Sequence, residues 1–385
     1  SDPPKPTAPA SPTPAATSPS QPLFQFAALQ PAHRHFETVH ADEDVQPLLP
    51  HKLSQLGPGV AWVDFDGDGD DDLLVGSGRG GSIAAYVNDG KGGLNALAPS
   101  AAPMSADDTT GFAAWPTAGG AARVWIGQQG YEVPGAAGLV EWSFRDAAPR
   151  QSMASLPVFT NVTALAIGIS AGGTPLLFAG GGVAPGAYPN GAPSKLFRWT
   201  GEAWAPDPRG AALDRLGIVN AAVWTDLDDD SFAELVLACE WGPVRVFRVG
   251  PTALVEATQA LGLDRWTGWW RSVHAADVDG DGRMDLVAAN WGLNTPHQAS
   301  ATQPLVFAWG QMSQPGVTDV IQTEWVEDVF IPGSSCVNWR RRCRRFPSFS
   351  PTMPSTAKHP SNACWEIARP CRAGWRSEPS NRWSS

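Results

Sequence analysis

Short apolar runs separated by glycine-rich or acidic turns dominate the middle of the chain. They include GVAWV, DLLVG, RVWIG, LLFAG and ELVLACEW. Runs of this length, rich in Val, Leu, Ile and Trp, are typical of β-strands. The 40 glycines and 36 prolines also favour many turns and few long helices. The pattern therefore predicts an all-β protein built from many short strands.

One acidic turn, in VDFDGDGDDDLLVGSGRGG (residues 63–81), could fit three known templates. The helical calcium hand requires a glutamate at loop position twelve and a helix on each side. Counting from Asp64, position twelve is Val75, and the flanking residues are strand-like. The helical hand is therefore excluded.

The second template is the glycine turn of dinucleotide-binding proteins. Gly76, Gly78 and Gly81 have its G-x-G-x-x-G spacing after a strand. That turn must open an amphipathic helix, but the following SIAAYVNDG alternates briefly and ends in a turn. The glycines alone are weak evidence, and the required context is missing.

The third template, a calcium loop carried by strands, fits and recurs. In D-x-D-x-D-G-x-x-D, acids at positions one, three, five and nine surround a cation, and position seven offers its carbonyl. Loops starting at Asp64, Asp226 and Asp277 have this spacing, with Ser231 at the glycine position of the second. They predict two to three Ca²⁺ ions. The expected ligands are Asp64, Asp66, Asp68, Asp70 and Asp72; Asp226, Asp228, Asp230, Phe232 and Glu234; and Asp277, Asp279, Asp281, Arg283 and Asp285.

Two further copies of the unit lack the acids. RVWIG and LLFAG match the strand after the first loop and follow PTAGGA and GISAGG. The loop starts then fall near residues 64, 115, 167, 226 and 277, a period close to fifty residues. A sixth, degenerate unit begins near Gln311.

A period of roughly 40–50 residues with about four strands per repeat is typical of β-propeller blades. A single blade cannot bury both of its faces, so blades must stack on one another. We therefore expect a β-propeller of six to seven four-stranded blades over residues 23–332. Five to six blades are visible in the sequence, and the last is incomplete if the C-terminal segment is out of frame.

The loops resemble the FG-GAP (VCBS-type) repeats of integrin α-subunit propellers. Gln46–Gly69 and Gly268–Thr295 resemble a narrower set, the bacterial secreted propellers related to cartilage acidic protein. This resemblance covers residues 24–332 and implies an extracytoplasmic, calcium-stabilised binding or adhesion module. Ser231, the two loops without acids and the C-terminal segment depart from the family pattern.

The two ends differ from the body in composition. Residues 1–22 are nearly all Ser, Pro, Ala and Thr, which predicts a disordered tether. A bacterial lipoprotein anchored upstream of Ser1 and a Pro-rich linker of another origin both fit. Residues 333–385 hold four of the five cysteines and are strongly basic. We expect this tail to be frameshifted or disordered; a basic arm and a small disulfide module are the alternatives.

The rest of the chain is acidic, since the whole carries a net charge of −11 despite the basic tail. This favours cation binding and argues against nucleic acid as a partner. No apolar stretch approaches the ~18 residues of a membrane span. We therefore expect no transmembrane segment.

The sequence offers little support for catalysis. Ser170 lies in a G-x-S-x-G match without a strand–turn–helix setting, and the seven histidines form no metal-binding pair. We expect a non-catalytic, calcium-binding propeller, secreted or at the cell surface, used for adhesion or for binding a protein or glycan. The alternatives are an enzyme or accessory domain acting on polysaccharide and a structural segment of a larger surface protein. The exposure of Trp269 and Trp270 decides whether they serve the core or a ligand.

Overall fold

The computed structural model describes residues 33–97, 104–116, 122–133, 135, 138–145, 148–156, 161–295, 297, 299–300, 302–311, 315–326 and 329–332. Over these residues β-strand is the predominant secondary structure, with a single four-residue α-helix, α1 (Asp42–Val45), and 3-10 helices that include Pro208–Arg215 and Gly292–Asn294. The predicted tether (1–22) and tail (333–385) lie outside the described residues.

Strands follow one another with short connections along the described residues. They are β1 (Val60–Val63), β2 (Asp72–Val75), β3 (Ala84–Asn88), β4 (Leu94–Ala96), β5 (Thr109–Pro116), β6 (Ala122–Gln128), β7 (Leu139–Arg145), β8 (Ala148–Ser155), β9 (Val162–Ile169), β10 (Pro175–Gly181), β11 (Lys195–Trp199), β12 (Trp204–Pro206), β13 (Val219–Thr225), β14 (Glu234–Val249), β15 (Leu254–Glu256), β16 (Thr267–Ala276), β17 (Asp285–Asn290), β18 (Val306–Gly310), β19 (Asp319–Val326) and β20 (Val329–Pro332).

Strands adjacent in sequence pair antiparallel in five successive sheets. Strands β1–β4, β5–β8 and β9–β12 each form a four-stranded sheet, β13–β17 form the fourth, and β18–β20 form the fifth. The fourth sheet joins two repeats, because the middle of β14 (Glu240–Pro243) pairs with β16. Consecutive four-stranded antiparallel sheets are the blades of a β-propeller. The predicted fold class is confirmed.

The first strands of neighbouring repeats lie side by side. Strand β1 contacts β5, β5 contacts β9, β9 contacts β13, and β13 contacts β16. In three of these strands the second residue donates a side-chain hydrogen bond to a backbone carbonyl of the next first strand. The donors are Thr110, Thr163 and Asn220, and the acceptors are Val162, Val219 and Trp270. The first strands are therefore the inner strands of the propeller.

The second and third sheets are each packed by a neighbouring sheet on both faces. Along β6, Val124 and Ile126 pack with the first sheet, whereas Trp125 between them packs with the third. In β10, Leu177 packs toward the second sheet, whereas Leu176 and Phe178 on either side of it pack toward the fourth. Successive strand residues point to opposite faces, so an unbroken apolar run fits a strand enclosed between two sheets.

The segment before β1 packs across the inner strands. The buried carboxylate of Asp42 accepts hydrogen bonds from the backbone of Leu53 and Ser54. The buried side chain of Gln46 exchanges two hydrogen bonds with the backbone of Tyr188, at 2.7 and 2.9 Å. Leu53 joins an apolar cluster that draws residues from several sheets. This segment therefore covers the centre of the propeller on one side.

Candidate metal-binding loops

The three acidic loops occupy equivalent places, between the first and second strands of their repeats. The residue before each loop pairs in register with the ninth loop residue, as Val63 does with Asp72. Thr225 pairs with Glu234, and Ala276 pairs with Asp285, in the same way. The last acid of each loop thus begins the second strand, which gives all three loops the same span.

The same internal hydrogen bonds fold each loop. The carboxylate at position one accepts the backbone N–H of position six, and the carboxylate at position five accepts that of position seven. The carboxylate at position nine accepts the N–H of position two. From position six to position one, the bonds run from Gly69 to Asp64, Ser231 to Asp226 and Gly282 to Asp277. From position seven to position five, they run from Asp70 to Asp68, Phe232 to Asp230 and Arg283 to Asp281. From position two to position nine, they run from Phe65 to Asp72, Leu227 to Glu234 and Val278 to Asp285.

Two residues in each loop have left-handed backbone. In the first loop, positions four and six are Gly67 (φ 87°) and Gly69 (φ 98°), and the third loop also has glycines at both positions. The middle loop has Asp229 (φ 59°) and Ser231 (φ 68°) there. Residues with a Cβ are strained in this region. The sequence pointed to position six, whereas the need at position four appears only in the structure.

In each loop, one oxygen from each of three acids lies within 4.8 Å of the other two. The triplets are Asp64, Asp66 and Asp72; Asp226, Asp228 and Asp230; and Asp277, Asp279 and Asp285. The position-five residues Asp68 and Asp281 stand outside the triplets of their loops, and so does Glu234 in the middle loop. The backbone carbonyls of Asp70, Phe232 and Arg283, at position seven, are predicted ligands. In each of these residues the backbone N–H donates to the carboxylate at position five of the same loop.

The donor set suits a hard divalent cation, because all the converging atoms are carboxylate oxygens. Burial raises the pKa of Asp66 and that of Asp72, and neighbouring loop carboxylates raise both further. A bound cation would offset this repulsion. Calcium, which takes 6–8 oxygens, would be held by these acids together with loop carbonyls or water.

The middle loop differs because a guanidinium reaches it. Arg248, from the end of β14, forms an ion pair with Asp228 and lies 3.6 Å from a carboxylate oxygen of Glu234. Arg283 of the third loop pairs with Asp229 at 3.1 Å. The middle loop is thus partly neutralised by the protein's own cations.

The corresponding turn of the third sheet contains no acid. Ser170 and Thr174 close it through a backbone hydrogen bond of 2.9 Å, and strand β10 follows directly. Ser170 therefore lacks the helix that a nucleophile elbow requires. Most of the corresponding turn in the second sheet, residues 117–121, lies outside the described residues.

Sequence reasoning missed a buried polar cluster near the propeller centre. One oxygen of Glu240 accepts the Tyr188 hydroxyl at 3.1 Å, and the other lies 3.4 Å from both Asn220 and Arg271. Burial raises the pKa of Glu240, and Arg271 opposes this effect. The available signal was an acid inside the otherwise apolar run of β14.

The tryptophans divide between core and surface. Trp269 is 7% exposed, with ring centroids 4.4 Å from Trp241 and 4.3 Å from Trp291. Trp270 is half-buried, whereas Trp266 is 58% exposed. Trp269 therefore serves the core, and Trp266 offers an aromatic surface.

Comparison with known proteins identifies a repeat and a fold. Residues 226–288, which hold the middle and third loops, match the family model described as FG-GAP-like repeat. None of the curated proteins compared with the chain matches it.

Solved structures with similar folds are distant. The fucose-specific lectin from Aleuria aurantia is 13% identical with a TM-score of 0.37, and the match covers 71% of this chain and 77% of that one. BBS1N, solved in complex with ARL6DN, is 11% identical with a TM-score of 0.34, and the match covers 60% of each chain. The chain thus spans about three fifths of the length of BBS1N. At these TM-scores the likenesses carry no argument about ligands. Sheet order and the matched residues together describe a β-propeller with an FG-GAP-like repeat at residues 226–288.

Proposed function

We propose that this chain is a non-catalytic, calcium-binding β-propeller that works outside the cytoplasm and binds a protein or glycan. The observation that carries the proposal is the shared hydrogen-bond framework of three loops, each of which brings three carboxylates together. The first and third loops are the main calcium sites, and the middle loop is the weaker one. In each, the ion would stabilise the connection between the inner strand and the next.

The expected role of the ion is structural. Several carboxylates of one loop would surround it and leave little open coordination for a substrate. A catalytic alternative acting on polysaccharide would need a free acid or base near the propeller centre. Glu240 lies there, but both of its oxygens are engaged by Tyr188, Asn220 and Arg271. Glu240 is therefore a poor candidate for catalysis, and a binding module, or a structural part of a larger surface protein, is the function we propose.

The surface around Trp266 is the proposed contact region. Its ring is largely exposed, and the guanidinium of Arg265 lies 5.3 Å from the ring centroid. Exposed aromatic rings beside charged groups are common in carbohydrate and protein contacts. Glycan and protein arrays probed with and without calcium would identify the partner. Trp266→Ala should abolish the signal, whereas Leu261→Ala, at another exposed apolar residue, should preserve it.

An extracytoplasmic location belongs to the same proposal. Extracellular calcium modules bind with dissociation constants of about 10⁻⁴–10⁻³ M, which suits sites built from surface loops. Secretion and kinship with the cartilage acidic protein group are hypotheses that rest on the sequence resemblance, and a lipid anchor is one that rests on the composition of residues 1–22.

Calcium-dependent thermal unfolding tests the metal role. At a hundredfold excess over the dissociation constant, each ion bound only to the folded state should add about 2.7 kcal/mol of stability. Calcium should therefore raise the unfolding temperature relative to a chelator, and magnesium at equal ionic strength should raise it less. Equal unfolding temperatures in calcium and chelator would contradict the proposal.

A further inference from the structure

Three acids from distant parts of the sequence meet beside the inner strands. Glu37 belongs to the segment before β1, Asp108 precedes β5, and Glu132 follows β6. One carboxylate oxygen from each lies within 4.8 Å of the other two. We call this group the Glu37 cluster. It contains no residue of the three loops.

The cluster is more enclosed than the loops. Asp108 is 1% exposed, and the side chains of Glu132 and Glu37 are 1% and 23% exposed. Burial and the neighbouring acids Glu37, Glu132 and Asp107 raise the pKa of Asp108 to about 7. Carboxylates withdrawn from water at this spacing repel one another strongly unless a cation or proton joins them.

Part of each carboxylate is already engaged. Asp108 accepts the backbone N–H of Arg79 at 3.0 Å, and Glu132 pairs with the Arg79 guanidinium at 3.3 Å. Glu132 also accepts the Thr38 hydroxyl, and Glu37 lies 3.1 Å from a ring nitrogen of His35. These contacts use one oxygen of each acid. Arg79 is the only lysine or arginine paired with the cluster among the described residues.

The other oxygen of each acid has no partner. Glu37 Oε1, Asp108 Oδ2 and Glu132 Oε1 are all buried, and none has a hydrogen-bond partner within the described part of the chain. A buried carboxylate oxygen without a partner is costly, and each of the three acids of the cluster has one. Three acids that converge and each keep one unpaired oxygen offer ligands to a cation.

A glycine makes room for this arrangement. A Cβ at Gly78 would lie 2.7 Å from the carboxylate of Glu37. The N–H of Gly78 also donates to the carbonyl of Phe36, which fixes the neighbouring backbone. The glycine turn that fails as a dinucleotide fingerprint thus allows Glu37 to reach the other two acids.

We propose that Glu37, Asp108 and Glu132 bind a divalent cation of the calcium class at a site separate from the three loops. The donors are all oxygen, which favours calcium or magnesium over zinc. Glu37 lies before β1, Asp108 lies between β4 and β5, and Glu132 lies between β6 and β7. The ion would therefore join the segment before β1 to the first and second sheets. Its expected role is to hold that segment across the propeller centre.

Counting bound ions tests the proposal. The chelator-treated full chain is dialysed against calcium chloride, and calcium per chain is measured by mass spectrometry. The same measurement is made on Asp108→Asn and Glu132→Gln, each in the parent chain and in a chain carrying Asp64→Asn and Asp277→Asn. We expect each cluster substitution to remove about one ion in either background.

The design separates this site from the loops. If the loops bind no calcium, the Asp64→Asn and Asp277→Asn chain keeps the parent count, whatever the cluster does. If the cluster binds none, Asp108→Asn keeps the count in both backgrounds, and the proposal is overturned. Asp42→Asn is the matched control, because Asp42 is equally buried in the same segment and also has an unpartnered oxygen. It should leave the count unchanged.

Gly78→Ala provides a milder variant if the buried substitutions prevent folding. The three atoms nearest the new Cβ all belong to the flexible end of Glu37, so the chain should fold while one ligand is displaced. We expect at least a tenfold weaker affinity at one site, about 1.4 kcal/mol, by calorimetry. Calcium should also slow amide exchange in residues 33–41 of the parent but not of Gly78→Ala. Unchanged affinity and exchange would overturn the proposal, and so would an Asp108→Asn chain that gains stability without losing an ion.

Discussion

The middle loop and the third loop have nearly the same backbone but different electrostatic surroundings. Both fold around an acid at position one that accepts the N–H of position six. The third loop has glycine at both left-handed positions, and its converging triplet includes the acid at position nine. The middle loop has Asp229 and Ser231 at those positions, and Arg248 holds Asp228. A neighbouring arginine thus partly neutralises the middle loop, whereas we propose that a bound ion neutralises the third.

Removing the first acid of each loop gives the largest contrast between them. Asp277→Asn should eliminate most of one ion's stabilisation, about 2.7 kcal/mol at a hundredfold excess of calcium. Asp226→Asn should cost less, because Arg248 already neutralises part of that loop. The measurement is thermal unfolding of both variants in calcium and in chelator. Equal calcium-dependent losses would show that Arg248 does not replace the ion.

Removing the arginine sharpens the same contrast. Arg248→Met should destabilise the chelated protein by about 1 kcal/mol, a modest value because the pair is partly exposed. It should also increase the stabilisation by calcium, since Asp228 and Glu234 become available to an ion. Calorimetry and chemical unfolding with and without calcium measure both effects. Arg245→Met is the control, because Arg245 pairs with Glu256 away from the loops. If Arg248→Met leaves calcium binding unchanged, the arginine is only a surface partner.

Exchanging the residue at position six tests the smallest difference. Ser231→Gly should stabilise the protein by about 1 kcal/mol, because glycine adopts the left-handed backbone without Cβ strain. The reciprocal Gly69→Ser should destabilise the first loop by a similar amount. Chemical unfolding in chelator isolates the backbone effect from ion binding. Changes of the same sign in both variants would show that strain at position six is not the cause.

Much of this architecture is readable from local sequence. A run such as ELVLACEW predicts a strand because its residues are apolar on both faces, and Val236 and Leu237 indeed pack in different clusters. The spacing of Asp277 to Asp285 fixes loop and register together, since both acids are held by amides of the same loop. Such features depend on residues less than ten positions apart.

What the sequence does not reveal depends on contacts between remote residues. Arg248 reaches Asp228 only because β14 runs back past its own loop. The Glu37 cluster gathers acids from three connections, and no local spacing marks them as neighbours. Glu240 could be noticed as an acid in an apolar run, but its partner Arg271 belongs to the next repeat. Repeats predict the position of each strand, whereas side chains that cross between repeats must be located by the structure.

The hydrogen bonds between inner strands join the sheets to one another along their inner edge. Thr110, Thr163 and Asn220 each donate one such hydrogen bond. The outermost strands β4, β12 and β15, unlike the longer β8, have three residues each and no comparable hydrogen bond among the described contacts. Fraying should therefore begin at the rim and stop at the axis. A ligand bound at the outer strands would change the stability of individual sheets without breaking the hydrogen bonds between the inner strands.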